Sequence, residues 1–255
     1  MSALSSEQHE HWQNNGWILL EHALPPPISA VLDSWVASVA RPASNDDSRL
    51  HYFERTEHGR TLCRTERFIE DHAGFEALTT RGVLRELASE LVGEPAVLYK
   101  EKINYKLPDG AGFAPHQDAT AYAFVRKHVT CLVAIDVMTV DNGCLEFARF
   151  TKRELLADDG DGCISPTLAR GLEWQPVPMP AGAVLFFTSH VPHRSGPNRT
   201  GMPRRALYLT YNAASEGDRR HDYYQERDRS LAASAQIGGT ARISTIGHFL
   251  GRKAD

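Results

Sequence analysis

"AVLFFTSHVPHRSGPNRTGMPRRALYLTYNA", residues 183–213, sets two β-rich apolar runs on either side of a polar link. "AVLFF" and "RALYLTYNA" have strand length and strand composition, and the link between them holds Gly196, Pro197, Asn198, Gly201 and Pro203, residues that turn a chain. Working outward from this pair, "VLYKEKINYKL", "VTCLVAIDVM", "GCLEFAR" and "EWQPVPM" are further β-rich segments after residue 97, each bounded by Gly, Pro, Asp or Asn. Before them the texture is helical. Ser5 or Ser6 can cap a helix to about Asn15, ended by Gly16, and the short strand "WILLEHAL" follows. Pro25–Pro27 open a second helix, and two more are predicted at about 73–79 and 81–92. Helices first and strands afterwards predict a mainly β chain with flanking helices, its strands forming a double-stranded β-helix: a jelly roll, cupin-like.

The 255 residues suit one domain over 1–255: a helix-and-strand part to about 95, a jelly-roll core over about 96–214, and a charged segment over 215–255. That last segment, partly helical by pattern, reads as a solvated face. Residues 41–61 read as a polar surface loop with a short strand, and the stretch is a candidate lid. A formal charge of −4 gives no reason to expect nucleic acid or an anionic membrane as partner. "MSALSSEQHEHWQNNG" lacks a signal-peptide pattern and no apolar run reaches membrane-spanning length, so the cytoplasm is the expected compartment. Four scattered cysteines without a C-x-x-C pair argue against a zinc ribbon or a disulfide framework.

The link at 188–205 offers two histidines, His190 and His193, and an arginine, Arg204, at the start of the next strand. A second histidine source is "FAPHQDATAY", residues 113–122, where His116 and Asp118 stand two apart. A jelly roll brings distant residues to one barrel mouth, so His116, Asp118 and a histidine of the link can share a metal. Two histidines and a carboxylate on one face leave three positions open, the arrangement of non-haem Fe(II) oxygenases. Arg204 offers planar paired donors for a carboxylate, and Ser195 adds a hydroxyl. Gln117, on the opposite side of the strand, reads as structural.

With these motifs assembled, the chain resembles the phytanoyl-CoA dioxygenase-like branch of the Fe(II)/2-oxoglutarate-dependent oxygenases. The resemblance rests on H-x-D at 116–118, on "GAVLFF", on "HRSGPNRTGMPRR" with its arginine 11 residues after His193, on "NGCLEFAR" at 142–149 and on the opening "SSEQHEHWQNNGWILLEHAL". It runs from about residue 5 to 213. One departure is "ARFTKRELL", where the family continues with a P-G-S-H turn. The resemblance selects His193 over His190 as ligand and leaves His190 a structural role. It implies Fe(II) on His116, Asp118 and His193, 2-oxoglutarate on Arg204, Ser195 and Asn104, O2 as the oxidant, and hydroxylation of an unactivated C–H bond. Halogenases of this broad family lack the carboxylate, so the presence of Asp118 favours hydroxylation.

"YKEKINYKLPDG" leads into the ligand pair. Strict alternation separates Tyr99, Glu101, Ile103 and Tyr105 from Lys100, Lys102, Asn104 and Lys106. The lysines are either exposed strand residues or barrel-lining ones, and Arg205 faces away from Arg204. By resemblance to ectoine-hydroxylase-like members, Asn104 touches 2-oxoglutarate and Lys102 an anionic group of the substrate. Tyr122 either contacts substrate or packs, and Asn198 either faces the pocket or caps a turn. The string "KEKINYKLPDGAGFAPHQDATAYAF" is most similar to bacterial oxygenases that hydroxylate small aminoalkylphosphonates. The expected partner is thus a small polar molecule, an aminoalkylphosphonate being the leading candidate. The alternatives are an oxygenase tailoring a secondary-metabolite scaffold and a non-catalytic cupin-like binding protein.

Overall fold

The computed structural model describes residues 4–41, 48–149, 154–236, 243, 244 and 246–254. Helix α1 (Ser6–Asn15) starts with a reciprocal cap between Ser5 and Gln8 and stops at Gly16, which turns left-handed at φ 73°. Then come β1 (Trp17–Leu20), α2 (Pro26–Val39) with prolines in its first turn, β2 (Leu50–Thr56), β3 (Gly59–Glu66), α3 (Ala73–Thr80) and α4 (Val83–Val92). The strand-rich part follows as β4 (Ala96–Lys106), β5 (Phe113–His116), β6 (His128–Ala134), β7 (Leu145–Ala148), α5 (Pro166–Gly171), β8 (Trp174–Val177), β9 (Val184–Thr188), β10 (His193–Ser195) and β11 (Arg204–Ala213). Helix α6 (Arg220–Gln236) and β12 (Arg252–Lys253) complete the described elements. None of the described helices is long and apolar enough to cross a membrane.

Two antiparallel sheets result. The major one runs β1-β9-β6-β11-β4-β3-β2-β12 and the minor one β5-β10-β7-β8. Alternation along β11 shows why the layers stack as they do. Leu207, Leu209 and Tyr211 face outward into a core shared with Leu32 and Val36 of α2, Phe75 of α3 and Leu84 and Leu87 of α4. Ala206 and Tyr208 face inward, where Leu132, Leu185 and Phe187 of the major sheet meet Leu145 and Phe147 of the minor sheet. Helices therefore cover one face and the minor sheet covers the other, a jelly roll with external helices.

Two expectations change. Of the supposed loop and lid at 41–61, residues 42–47 lie outside the described ones; residues 50–66 form a hairpin, β2 paired to β3, that extends the major sheet beside β4. Its pattern reads as surface because inward positions carry charge: Glu54, Arg64 and Glu66 are all at most 3% exposed. The charged stretch after 215 is likewise not wholly solvated. Helix α6 buries Tyr223, Tyr224 and Arg227, and Arg220 pairs with the buried Glu101 of β4. Its inner face is built of tyrosine and arginine, which apolar periodicity does not register.

Candidate active site

Strands β5 and β10 are neighbours in the minor sheet, and their register sets His116 directly opposite His193. Asp118 opens a short 3-10 turn (Asp118–Ala121) just after β5. One ligand atom from each of the three lies within 4.8 Å of the others. The hydrogen bonds fix which atoms those are. The Nδ1–H of His116 donates to the Ala114 carbonyl at 2.7 Å, and that of His193 to the Val191 carbonyl at 3.1 Å. A carbonyl only accepts, so both rings keep the Nε2 lone pair for a metal. Thr130 donates its hydroxyl to Asp118 Oδ2 at 3.2 Å.

Electrostatics agree with this donor set. Burial, with the neighbouring His193, pushes His116 down to about 3, and burial also lowers His193, so both imidazoles stay neutral. Burial alone would raise Asp118, but the two neighbouring imidazoles together with Lys102 and Lys100 outweigh that and hold the carboxyl well below its ordinary range. Two neutral imidazoles and a carboxylate, buried and sharing a focus, fit a divalent iron.

Arg204 begins β11 opposite Lys106, the last residue of β4. It is 1% exposed, yet its Nε and Nη2 have no hydrogen-bond partner. Buried guanidinium donors are seldom left unmade, so the arginine fits a carboxylate ligand. Lys106 fixes the nearby hydroxyl: its Nζ donates to Ser195 Oγ at 2.8 Å and to the Gly196 and Gly143 carbonyls at 2.6 and 3.1 Å. Gly143 is required for this packing, since a Cβ there would lie 2.2 Å from the Gly196 carbonyl oxygen. These contacts suit the far carboxylate of 2-oxoglutarate.

A narrow cavity of about 20 Å³ connects His116, Asp118 and His193 with Lys102, Asn104, Leu145, Phe187, Tyr208 and His248. Strand β4 carries its lysines inward, as the barrel-lining alternative required: Lys100 and Lys106 are buried and Lys102 half-buried. Burial pushes Lys100 down to about 8 and Lys102 well below the usual lysine range, with Arg64 adding to the effect on both. Arg64, on β3, donates its Nε–H to Asn104 Oδ1 at 2.9 Å, which leaves the Asn104 amino group free to donate. Its Nη1 reaches the Ile243 carbonyl and Glu66, while Nη2 is buried without a partner. His248 stacks on His116 with ring centroids 3.9 Å apart, and its buried Nδ1 also has no partner.

Other expected contacts lie elsewhere. Asn198 caps its own loop and does not offer a group to substrate: Nδ2 donates to the Lys106 and Met202 carbonyls, and Oδ1 accepts from the N–H and hydroxyl of Thr200. Tyr122 packs against Tyr99, with its hydroxyl 3.3 Å from Thr210 Oγ1, and Lys100 puts its Nζ 4.4 Å from the ring centroid. Gln117 clamps the backbone at Glu154, Leu156 and His190. Arg205 turns to Asp33 and Asp136 on the far side, and Glu101 turns away to the Phe68 and Ile69 N–H groups and Arg220. The residues that sequence reasoning missed are Arg64 and His248. Arg64 alternates correctly in its hairpin, whereas nothing local distinguishes His248.

The comparisons with known proteins agree with this geometry. The family model "Phytanoyl-CoA dioxygenase (PhyH)" matches residues 12–206. A methylphosphonate hydroxylase from Gimesia maris is 46% identical, covering 99% of this chain and 98% of its own. A 2-aminoethylphosphonate dioxygenase from an uncultured bacterium is 36% identical, with 92% of each chain covered. Among solved structures, EctD from S. alaskensis with 2-oxoglutarate and 5-hydroxyectoine superposes with a TM-score of 0.70 at 21% identity, over 84% of this chain and 77% of that one, which supports the fold. The chain belongs to the phytanoyl-CoA dioxygenase family, whose members are Fe(II)- and 2-oxoglutarate-dependent oxygenases.

Proposed function

We propose that this dioxygenase hydroxylates an unactivated C–H bond of a small organophosphonate. The observation that carries the reading is a group of cations with unused donors beside the triad. Lys100 and Lys102 make no hydrogen bond through Nζ to any described residue, and Arg64 keeps Nη2 free. The charged groups acting on Lys100 are Arg64, Arg227, Asp118 and Glu66, and Asp118 belongs to the metal. Cations buried in excess need an anion, and a phosphonate presents two charges and three acceptor oxygens to them. Two relatives act on phosphonates by name.

In this reading His116, Asp118 and His193 hold Fe(II), with the backbone carbonyls of Ala114 and Val191 aiming the imidazoles. Arg204 and Ser195 hold the far carboxylate of 2-oxoglutarate, and the free Asn104 amino group donates toward the cosubstrate. Lys102, Lys100 and Arg64 hold the phosphonate, and His248 closes the site above His116. When bound, the iron couples loss of CO2 from 2-oxoglutarate to O2 reduction, one oxygen atom entering succinate and the other the substrate hydroxyl. The chain's own contribution is to fix the reacting carbon near the triad and to keep water out. The cavity beside the triad is narrow, about 20 Å³, which favours a small phosphonate over a multi-ring metabolite.

The test is succinate formation with methylphosphonate or 2-aminoethylphosphonate, Fe(II) and 2-oxoglutarate, with phosphorus NMR to find the hydroxylated product. Substrate-dependent succinate and a new phosphonate resonance are expected, with KM for the phosphonate raised at least about 30-fold by Arg64→Ala, as for a lost charged hydrogen bond. Succinate formation indifferent to every phosphonate would rule the substrate class out.

A further inference from the structure

Next to the phosphonate cations is an aromatic cluster that is already filled. Tyr99, Tyr122 and Tyr223 pack together, with ring centroids 5.6 Å apart for Tyr99–Tyr122 and 5.2 Å for Tyr99–Tyr223. Lys100 puts its Nζ over two of these rings, 4.4 Å from the Tyr122 centroid and 5.1 Å from that of Tyr223. The β4–β11 ladder shifts register between Thr210 and Tyr211, opposite Lys100 and Leu98. The extra residue is Tyr99, which thereby joins the tyrosine cluster while Leu98 stays in the outer core. The face of Tyr208, on the cavity wall, is taken in the same way by Lys102, at 5.0 Å.

An ammonium group on the substrate would be stabilised by tyrosine faces or by a carboxylate. Here the chain's own ammonium groups occupy the faces. The carboxylates nearby are committed: Asp118 to the triad, Glu66 to Arg64 and the Tyr223 hydroxyl, Glu101 to Arg220, Tyr224 and two backbone N–H groups. We propose that Lys100 is a specificity-determining residue whose ammonium fills the aromatic site, so that this enzyme selects amine-free alkylphosphonates and rejects aminoalkylphosphonates. This rests on the phosphonate reading and narrows the aminoalkylphosphonate expectation drawn from the sequence.

The test compares 2-aminoethylphosphonate with propylphosphonate, its isostere without the ammonium charge, and with methylphosphonate. Dissociation constants are measured by calorimetry on anaerobic, Fe(II)- and 2-oxoglutarate-loaded enzyme, and succinate formation is followed in parallel. Propylphosphonate is expected to bind at least 10-fold more tightly than 2-aminoethylphosphonate, and methylphosphonate to be turned over with the highest kcat/KM of the three. Lys100→Met weakens both alkylphosphonates, because a cation is lost, while shrinking the isostere ratio at least 10-fold; Lys100→Arg keeps the ratio. Equal binding or equal exclusion of the isosteric pair, or a ratio unchanged in Lys100→Met, would overturn the assignment of Lys100. If instead 2-oxoglutarate binds but none of the three phosphonates binds or is turned over, it is the phosphonate reading that fails.

Discussion

Arg204 illustrates how much one side chain states about its ligand. It is 1% exposed, and its free Nε and Nη2 are the pair that a carboxylate bridges. Removing it leaves the triad untouched, since no triad residue bonds to it. Arg204→Ala is therefore expected to weaken 2-oxoglutarate about 100-fold or more, the scale of a lost charged hydrogen-bond pair, with Fe(II) affinity retained. Anaerobic titration of the weak visible charge-transfer band against 2-oxoglutarate, with a separate metal-binding isotherm, checks both halves. Loss of metal along with cosubstrate would contradict the separation of the two sites. Arg204 and the candidate triad were legible in the sequence because the family resemblance picks out His116, Asp118 and His193 and the arginine 11 residues beyond. Lys100 was not, because a lysine on a strand carries the same letter whether its ammonium meets water or a tyrosine face.

At the scale of elements, α6 braces β4, the strand whose other face lines the site. Its Arg220 reaches Glu101, which is 0% exposed, and its Tyr224 donates to the same carboxylate. Taking the arginine away strands a buried charge that the Phe68 N–H and the tyrosine compensate only in part. Arg220→Ala should cost roughly 3 kcal/mol, as for other broken buried pairs. The urea midpoint should drop, and proteolysis of the region after residue 215 should accelerate before global unfolding does. An unchanged midpoint would mean that α6 docks independently of the ion pair. The hairpin β2–β3 and helix α6 share the reason they were misjudged. Each turns charged or hydroxylated side chains to a polar interior, so binary patterning files them as surface.

Taken as a whole, the molecule buries several histidines in neutral form around its centre. His116 is pushed down to about 3 and His128 to about 4, by burial first, and His248 lies well below its ordinary value of 6.5. Between those values and 6.5 an unfolded chain takes up protons that the folded one refuses, so stability falls as pH drops below 6.5. At pH 5.5 each such histidine removes about 1.4 kcal/mol. The metal-free protein should therefore show a lower urea midpoint at pH 5.5 than at 7.5, and His128→Gln should recover about one histidine's share. Equal midpoints at the two pH values would show that these rings are protonated in the fold.

The sequence by itself carried the order of helices and strands and, through its resemblance to a known family, the jelly roll, the candidate ligands His116, Asp118 and His193, and the arginine 11 residues beyond. The order of elements depends on periodicity, a local property, and the ligand candidates on motifs that the resemblance singles out. Only the tertiary structure decided that His248 stacks on His116, that Arg64 from a distant hairpin joins the site, and that Lys100 fills a box of tyrosines from β4, the turn after β5, and α6. Those contacts join residues up to 179 positions apart, as in the Arg64–Ile243 bond. No local pattern encodes such a meeting, because it follows from how the two sheets stack and how α6 packs against β4.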